Sequence, residues 1–503
     1  MRLYNTLTQK TEEFTPSEAG HARVYVCGVT TYDFAHAGHG RTYTSFDVLV
    51  RHLRARGLKV TLVRNVTDVD DKILNRAQEL GEAPLQLSQR MSDLVDADLL
   101  RIGCDKPTHE PRVSTHIPEI LDLIAKLIDK GHAYVAKTDV GNDVYFSVRS
   151  FSPYGKLSRR NIDDLLSGAR VETGDIKRDP LDFALWKGCE ETAWGWPSPY
   201  GKGRPGWHIE CSAMAEKYLG QHFDIHCGGM DLIFPHHENE IAQSEAAHGP
   251  EFARVWLHGG FLNVDKEKMS KSLGNFVTIR DVLSRNDAEA FRYFLLGTHY
   301  RGPLSFDVEK DENGRVTFPG VDEAERRVDY LYTTLEGLRA TADGAEADTE
   351  VNSAHAKVIK SARDKVLDAL DNDLNAPVAL SVVAELAKAS NELTREVSRL
   401  KKDPAAQLKL KRLCAAAADA LQKSTEPLGL MLATPAEFQA RTRAQRLQIR
   451  NLDAANIDAK VAERQKARVD KDFARADELR KELTALGIEV LDTQDQSSWR
   501  VLV

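Results

Sequence analysis

The chain has 503 residues, of which 42% are hydrophobic and 29% are charged, and its formal net charge is −8 at pH 7. This length exceeds what one hydrophobic core can organise, so we expect three or four domains. No segment approaches the roughly twenty apolar residues of a membrane span, and the start of the chain has no apolar signal core, which excludes a membrane protein. The six cysteines are irregularly spaced, as is typical of a reducing compartment. We therefore expect a cytoplasmic protein, and a monomer.

The first 115 residues alternate strand and helix patterns. An apolar run over residues 23–28 precedes His36-Ala37-Gly38-His39, apolar residues then recur at helical spacing from Tyr43 to Leu53, and residues 59–63 form a second strand pattern. This alternation predicts the first half of a parallel sheet. The histidines fall at a strand-to-helix turn, where unpaired backbone N–H groups and the helix dipole can bind phosphate.

The pattern changes over residues 116–200. A helix that starts near Ile117 and ends near Gly131 is followed by short strands such as residues 144–148, separated by turn-rich spacers. We interpret this segment as an inserted domain. The alternating pattern resumes over residues 201–265 and completes the sheet. Ligands bind at the carboxyl ends of such strands, which is where Cys27 and the His36 turn are expected.

A second charged segment, Lys268-Met269-Ser270-Lys271-Ser272, lies in the region 266–319, in a loop that contains Gly and Asp. Its two ammonium groups could hold a leaving pyrophosphate, while the imidazoles of His36 and His39 could donate hydrogen bonds to the α-phosphate of ATP. Taken singly, the histidines could be a structural pair and the lysines a solvated loop. Their order, separation and flanking patterns favour two halves of an ATP site that activates a carboxylate.

The rest of the chain divides into two regions. Apolar residues over 320–430 have purely helical spacing, which predicts a helical bundle. In residues 431–503, four basic residues recur at helical spacing opposite an apolar face that includes Phe473, and a strand pattern and Trp499 follow. A basic stripe mixed with acids is also common on a solvated helix face, so the pattern by itself leaves both interpretations open. The negative net charge does not exclude a nucleic-acid partner, because phosphate binding needs only local basic patches.

Four residues could bind a soft metal ion: Cys27, Cys211, His236 and Glu240. On a helix, the last two would share one face because they are four residues apart. Two thiolates, an imidazole and a carboxylate suit zinc at a site that can accept one further ligand. The alternative is that the cysteines are small core residues and that the His-x-x-x-Glu pair lies on an exposed helix.

The two charged segments resemble the signature of the class I aminoacyl-tRNA synthetases, with Ala37 in place of the usual Ile. Residues 25–33, 65–73 and 234–243 resemble the cysteinyl-tRNA synthetase family in particular, and the similarity extends over nearly the whole chain. The resemblance implies an α/β fold with a Rossmann-like nucleotide-binding sheet split by a connecting domain. It also implies that the bundle contacts tRNA and that the C-terminal α/β domain binds the anticodon.

The resemblance also implies roles for individual residues. The catalytic and ATP-binding residues would be His36, Gly38, His39, Lys268 and Lys271. The zinc ligands would be Cys27, Cys211, His236 and Glu240, with one Zn²⁺ per chain and Mg²⁺ bound with ATP. Cysteine would contact Thr30, Trp207, His226 and Asp231, and tRNA would contact Arg464, Arg468, Lys471, Arg475 and Trp499. Cys227 departs from the family pattern, since this loop is usually all glycine.

The implied reaction joins L-cysteine to the 3′ end of tRNA(Cys) through a cysteinyl-adenylate. A pocket separates cysteine from serine poorly by shape alone, whereas zinc strongly prefers a thiolate to an alcohol. Two alternatives stay open: a ligase that delivers cysteine to a small amino sugar, and a catalytically silent tRNA-binding relative. The C-terminal tail after residue 430 disfavours the first, and the intact His36, His39, Lys268 and Lys271 disfavour the second.

Overall fold

The computed structural model describes residues 1–161, 176–249, 251–264, 267–268, 276–310, 314–350, 353–400, 403–492 and 497–502. The chain divides into two compact units. The first contains Met1–Ile279, Thr298–Ser305 and Leu367–Ala379, and the second contains Arg280–Gly297, Phe306–Val366 and Leu380–Val503.

Strands are concentrated in the first half of the chain. In chain order they are β1 (Arg2–Asn5), β2 (Lys10–Glu13), β3 (His21–Val26), β4 (Lys59–Arg64), β5 (Ala133–Lys137), β6 (Asn142–Phe146), β7 (Phe183–Gly188), β8 (Gly203–Pro205), β9 (Phe223–Gly229), β10 (Ala253–Gly259), β11 (Leu262–Val264), β12 (Glu267–Lys268), β13 (Leu304–Phe306), β14 (Glu309–Lys310), β15 (Val316–Thr317), β16 (Ile488–Asp492) and β17 (Ser497–Val501).

Helices occur throughout the chain. They are α1 (Ala37–Ala55), α2 (Asp71–Leu80), α3 (Pro84–Arg101), α4 (Ile117–Asp129), α5 (Trp207–Leu219), α6 (Glu238–His248), α7 (Ile279–Leu283), α8 (Ala288–Leu296), α9 (Pro319–Ala342), α10 (Ala354–Asp371), α11 (Ala376–Arg399), α12 (Pro404–Thr425), α13 (Pro435–Arg450), α14 (Ala454–Val469) and α15 (Phe473–Ala485). None of the helices in the described ranges is both long enough and apolar enough to cross a bilayer.

The centre of the first unit is a parallel sheet with the strand order β10-β9-β3-β4. Its strands are mostly buried, as expected where helices cover both faces of a sheet. From β3 the chain proceeds to β4 on one side, whereas β9 and β10 lie on the other. The carboxyl ends of β3 and β9 are therefore neighbours at a topological switch point, where α/β folds bind ligands.

A second, antiparallel sheet has the order β5-β6-β7-β8 and begins within the predicted insertion. The expected strand over residues 144–148 is observed as Asn142–Phe146, because the chain enters a short 3₁₀ turn at Val148. The expected helix near Ile117 is α4. One hydrophobic core includes residues from α4, this sheet, α5 and the parallel sheet.

The second unit is mainly helical, as the sequence predicts for residues 320–430. Leu331, Leu335 and Leu338 of α9 are buried, which agrees with their helical spacing. The C-terminal segment has a separate small core around Ile457, Leu483 and Trp499, where α14, α15 and the β16–β17 hairpin pack together.

Candidate active site

A cavity of about 450 Å³ opens at the carboxyl ends of β3 and β9. Its lining contains residues predicted from both halves of the sheet, namely Cys27, Thr30, His36, Gly38, His39, Trp207 and Asp231. The exposed Lys72 also contributes to the lining, and the sequence patterns did not single it out. Residues from distant parts of the chain meet here because the switch point brings two strand ends together.

Four buried donor atoms cluster around Cys27, which lines this cavity. The side chains of Cys27, Cys211, His236 and Glu240 each offer one atom, and these atoms all lie within 4.8 Å of one another. The two Sγ atoms are 3.9 Å apart, Cys27 Sγ is 3.5 Å from Glu240 Oε1, and His236 Nε2 is 3.0 Å from the same oxygen.

Local structure brings His236 and Glu240 together in a way that differs from the expected single helix. His236 lies in a short π-helical turn, Ile233–His237, that contains the extended residue Phe234, and Glu240 lies in the first turn of α6. The 3.0 Å contact between their side chains nevertheless satisfies the geometry that the i, i+4 spacing predicts.

The charges of the cluster are strongly coupled. Hydrogen bonding from Cys27 lowers the pKa of Cys211 to about 6, whereas burial raises the pKa of Cys27. Burial opposes the charge of His236, but Glu240 and Cys211 raise the pKa of this imidazole to about 10. His226 and His236 overcome the same burial effect at Glu240 and lower its pKa to about 2. Cys211 and Glu240 are therefore the anionic donors of a cluster whose four side chains are all buried.

This donor set fits zinc. Two sulfurs bound tetrahedrally at about 2.3 Å would lie about 3.8 Å apart, close to the 3.9 Å between Cys27 and Cys211. A second group, Cys27, His226, His237 and Glu240, is equally compact. Neither group among the described residues includes Cys227, whose carbonyl accepts a hydrogen bond from the Cys27 backbone.

The two histidines of the tetrad form a reciprocal cap on α1. His39 N–H donates to His36 Nδ1 and His36 N–H donates to His39 Nδ1, both at 3.3 Å, and the rings stack with centroids 3.6 Å apart. Because each Nδ1 accepts a hydrogen bond, each neutral ring carries its proton on Nε2. Both imidazoles are thus prepared as donors at the positive end of a helix.

The segment after the lysine loop is attached to this cap. The N–H of Ala37 donates to the carbonyl of Val277, Ile279 N–H donates to the carbonyl of Ala35, and the Phe276 ring meets His36 edge to face at 5.2 Å. The backbone of Lys268 belongs to β12. Lys271 and the side chain of Lys268 lie outside the described residues.

The predicted cysteine-pocket residues occupy different positions. Trp207 is 40% exposed, lines the cavity and stacks on His236 at 4.5 Å, so it is not a core aromatic residue. Thr30 and Asp231 also line the cavity. His226 is fully buried outside the lining, stacks on Trp256 at 4.3 Å and contacts Glu240 Oε2 at 2.8 Å.

Two further histidines near the cluster were not predicted from the sequence. His237 Nε2 lies 3.3 Å from Cys27 Sγ, and His237 Nδ1 lies 2.8 Å from His258 Nε2. His258 is near the carboxyl end of β10, whereas His226 lies in the middle of β9. The available signal was a histidine within each of two successive strand patterns, but histidines are too common in cores for that signal to be specific.

The C-terminal residues predicted to contact tRNA are partly engaged within the protein. Arg464 and Arg468 pair with Asp492, and Arg475 pairs with Glu463 and Glu478. Glu463 and Glu478 lie on the same two helices as the basic residues, whereas Asp492 ends β16.

The two aromatic residues of this region exchange the positions expected from the sequence. Trp499 is only 7% exposed, donates from Nε1 to Asp458 at 2.5 Å and lies beneath the Arg443 guanidinium. Trp499 is therefore not available to stack on an unpaired base as expected, because both its ring and its N–H contact other residues of the protein. Phe473, which the spacing predicts on the buried face, is instead 65% exposed because it is the first residue of α15.

A parallel sheet with a ligand cavity at its switch point, a capped His-x-Gly-His turn and a lysine segment after the second half of the sheet define a class I aminoacyl-tRNA synthetase. The sequence model of the class I (C) tRNA synthetase catalytic domain matches residues 13–314. Those of the DALR domain and of the cysteinyl-tRNA ligase anticodon binding domain match residues 365–433 and 454–500.

Whole-chain comparisons agree with these matches. A cysteine–tRNA ligase of Anaeromyxobacter sp. (strain K) is 47% identical over 100% of this chain and 99% of its own length, and that of Geobacter metallireducens is 46% identical with the same coverage. The methionyl-tRNA synthetase of Mycobacterium tuberculosis, solved with methionyl-adenylate, shares the fold with a TM-score of 0.64 at 16% identity, over 83% of this chain and 92% of that one. The chain belongs to the cysteine–tRNA ligase family.

Proposed function

We propose that the chain activates L-cysteine with ATP and transfers the cysteinyl group to the 3′ end of tRNA(Cys). The observation that carries this proposal is the buried cluster of two thiols, an imidazole and a carboxylate, one member of which, Cys27, lines the same cavity as the His36–His39 turn. Cys27 lines the same cavity as His36 and His39, so a cysteine bound there would place its thiol beside the cluster and its carboxylate toward the turn. The whole-length similarity to cysteine–tRNA ligases favours this function over the amino-sugar ligase and the silent relative.

We infer that Cys27, Cys211, His236 and Glu240 hold one Zn²⁺. A bound zinc ion would supply a Lewis acid that prefers the substrate thiolate to the hydroxyl of serine. The protein's own contribution is to keep the donors dry and oriented. Trp207 stacks on His236 and forms the wall of the cavity beside it, so this indole would exclude water from the substrate sulfur.

His36 and His39 would donate from Nε2 to the α-phosphate of Mg²⁺-bound ATP as the cysteine carboxylate attacks. No general base is needed, because the nucleophile is already ionised. Gly38 keeps the backbone of the turn accessible to phosphate, and Lys268 and Lys271 would stabilise the leaving pyrophosphate. Fixed donors aimed at developing charge are the largest contribution expected in such a reaction.

We propose that tRNA binds the C-terminal region through Arg468, Lys471 and Arg475, and that the exposed Phe473, rather than the buried Trp499, stacks on a base. Lys471 lies in the turn between α14 and α15, and Phe473 is the first residue of α15, so an exposed cation and an exposed aromatic face are presented together. Unpaired bases stack on such surfaces. Arg464 and Trp499 would then support the fold of this region. We further propose that the enzyme acts as a monomer in the cytoplasm.

The test is the transfer of labelled cysteine, compared with labelled serine, onto total tRNA in the presence of ATP. The expected result is charging with cysteine, with serine discriminated far beyond the roughly hundredfold that a near-isosteric substitution gives. Activation of cysteine without charging would contradict the proposal and indicate a small amine acceptor. Equal charging with serine would remove the proposed role of the metal.

A further inference from the structure

A continuous row of hydrogen bonds extends from the ligand cluster to the first turn of the chain. His237 Nε2 lies 3.3 Å from Cys27 Sγ, His237 Nδ1 lies 2.8 Å from His258 Nε2, and His258 Nδ1 lies 2.8 Å from Thr6 Oγ1. His237 and His258 are 0% and 2% exposed, and Thr6 is partly exposed. The row therefore has one end in the dry interior and one end near solvent.

The row can be oriented in only two ways. A neutral imidazole has one N–H, so once one contact has a donor, the donors of the other two contacts are fixed. Either Cys27 donates and Thr6 accepts, or Thr6 donates and Cys27 accepts. A thiolate has no proton to give, so a thiolate at Cys27 requires the second orientation, from the Thr6 hydroxyl through both histidines to the sulfur.

Two observations show that this row is built into the fold. Burial lowers the pKa of His258 to about 3, which keeps its ring neutral. A Cβ on Gly228 would lie 2.6 Å from His237 Cε1, so the absence of a side chain at Gly228 makes room for the ring.

The Thr6 end of the row is fixed by the sheet. The Thr6 N–H donates to the carbonyl of Trp256 at 2.9 Å, and the neighbouring Asn5 side chain accepts from the Trp256 N–H at 3.0 Å. Thr6 is thus attached to β10, the strand that carries His258. This holds the Thr6 backbone beside the strand, with its hydroxyl 2.8 Å from His258 Nδ1.

We propose that Thr6 and His258 are positioning residues for the metal centre, which stabilise the tautomer in which His237 donates a hydrogen bond to the Cys27 thiolate. This inference rests on the proposed zinc site. In this proposal His237 donates a hydrogen bond to a metal ligand and is not itself a ligand, although it is also a member of the second compact donor group. Hydrogen-bond donors to metal-bound groups commonly contribute tenfold to a hundredfold in metal affinity.

The variants interrupt this row of hydrogen bonds at Thr6 and at His258, the two residues that lie farthest from Cys27. Thr6→Val replaces the hydroxyl by a methyl group of similar size, and Thr6→Ser restores the hydroxyl. Thr8→Val is the matched control, because Thr8 is exposed two residues away. His258→Phe removes the donor to His237, and His258→Gln offers an amide N–H in its place. The Thr6 variants keep the test valid if the larger change at His258 prevents folding.

The measurement is the dissociation constant for Zn²⁺ on the full-length apoprotein, by competition with a chelator at fixed pH. We expect about a tenfold increase for His258→Phe and a smaller increase, about threefold to tenfold, for Thr6→Val, because the hydroxyl acts through two further groups. Thr6→Ser and Thr8→Val should bind like the wild type, and His258→Gln should lie between the wild type and His258→Phe.

A second readout separates this role from simple structural support. The readout is the thiolate-to-cobalt charge-transfer band of the protein with Co²⁺ in place of Zn²⁺. Loss of a hydrogen bond to the thiolate raises the energy of the sulfur lone-pair electrons, so this band should move to longer wavelength in Thr6→Val and His258→Phe. Folded variants with wild-type affinity and an unmoved band would overturn this inference alone. A wild-type chain that binds neither ion would overturn the proposed metal site as well.

Discussion

Cys27 and Cys211 are chemically different thiols although their sulfurs are only 3.9 Å apart. Burial raises the pKa of Cys27, while the hydrogen bond from Cys27 lowers that of Cys211 to about 6. Like charges at this distance oppose each other in a dry site, so only one thiol ionises readily in the free protein. A cation bound between the sulfurs would stabilise both thiolates, which makes metal binding and proton release inseparable here.

Cys211→Ser should therefore lose zinc and cysteine together. A hydroxyl is a poor zinc ligand, and the three remaining donors cannot close the site. The measurements are metal content and cysteine-dependent exchange of pyrophosphate into ATP. Cys227→Ser is the control, since Cys227 is equally buried but outside the ligand groups. Normal cysteine activation by Cys211→Ser would contradict the metal hypothesis.

Lys271→Ala should slow adenylate formation at least about a hundredfold, the scale observed when one electrostatic contact to a transition state is removed. Cysteine and zinc binding should be unchanged, because the ammonium acts on the departing pyrophosphate. Single-turnover formation of the adenylate measures the effect. Lys59→Ala is the control: Lys59 is exposed at the amino end of β4, opposite the strand ends that form the cavity. An unchanged rate for Lys271→Ala would exclude a catalytic role for this side chain.

Asp96 and Glu110 share one guanidinium. Arg64 contacts Asp96 at 2.8 Å and Glu110 at 2.5 Å. Burial and the neighbouring carboxylate raise the pKa of Asp96 to about 6, because one arginine cannot neutralise both acids. The folded state therefore binds more protons than the unfolded state between about pH 4 and pH 6, and this group lowers the free energy of unfolding as pH rises through that window.

Asp96→Asn should remove this pH dependence. The amide can still accept from Arg64 and can donate to Glu110, so we expect the variant to be more stable than the wild type above about pH 6 and similar near pH 4. Thermal unfolding at several pH values measures the difference. The idea fails if the two proteins unfold in parallel over the whole range.

Among the elements, α1 has an unusual beginning. Its cap is a histidine rather than the usual Ser, Thr, Asp or Asn, and the histidine at the third helical position completes the reciprocal pair. The same side chains would contact ATP. The cap geometry depends on Gly38, because a Cβ there would lie 2.9 Å from two atoms of the His36 ring.

Gly38→Ala should separate the stacked rings and lower the rate of adenylate formation tenfold or more, since the donors would no longer be fixed in advance. The measurement is the same single-turnover assay. Gly337→Ala is the matched control: Gly337 lies within α9, and a Cβ there would meet nothing within 4 Å. This control should retain full activity and gain about 0.5–1 kcal/mol in helix stability. Full activity of Gly38→Ala would mean that the ring stacking is not needed for catalysis.

Sequence periodicity predicted most elements because it reflects burial within a single element. The strands β3 and β4, the helix α4 and the apolar stripe of α9 were found within a few residues of their expected positions. The prediction from periodicity is wrong at Phe473, which continues the apolar spacing of Leu479 and Leu483 but precedes the packed part of α15. Periodicity identifies the side of a helix and does not show where neighbouring elements end.

On the scale of the whole molecule, the C-terminal segment has a small core of its own. The buried residues of this core, including Ile457, Leu483 and Trp499, lie after residue 452, and Leu447 of α13 packs against them. Arg446 of α13 links this segment to α9, because it donates to the Val501 carbonyl and pairs with Glu325 at 3.0 Å. Removing the segment would leave the Arg446–Glu325 pair in place.

A chain that ends at Leu452 should therefore form cysteinyl-adenylate at close to the normal rate and fail to charge tRNA at limiting concentration. Pyrophosphate exchange and charging of tRNA(Cys) measure the two activities on the same preparation. A combined loss, with an unfolded first unit by thermal denaturation, would show that the segment is required for folding. Normal charging would show that it does not contact tRNA.

The sequence by itself determined the α/β and helical regions, the two ATP segments, the four metal-ligand candidates and the family, because these depend on local periodicity and on short patterns of chemistry-bearing residues. Only the tertiary structure decided that Trp499 and Arg464 are buried, that His226 lies behind the cluster, and that Thr6, His237 and His258 form a row leading to Cys27. These relations join residues up to 252 positions apart. They depend on which strand ends become neighbours at the switch point, and the spacing of residues along the chain does not show which strands these are.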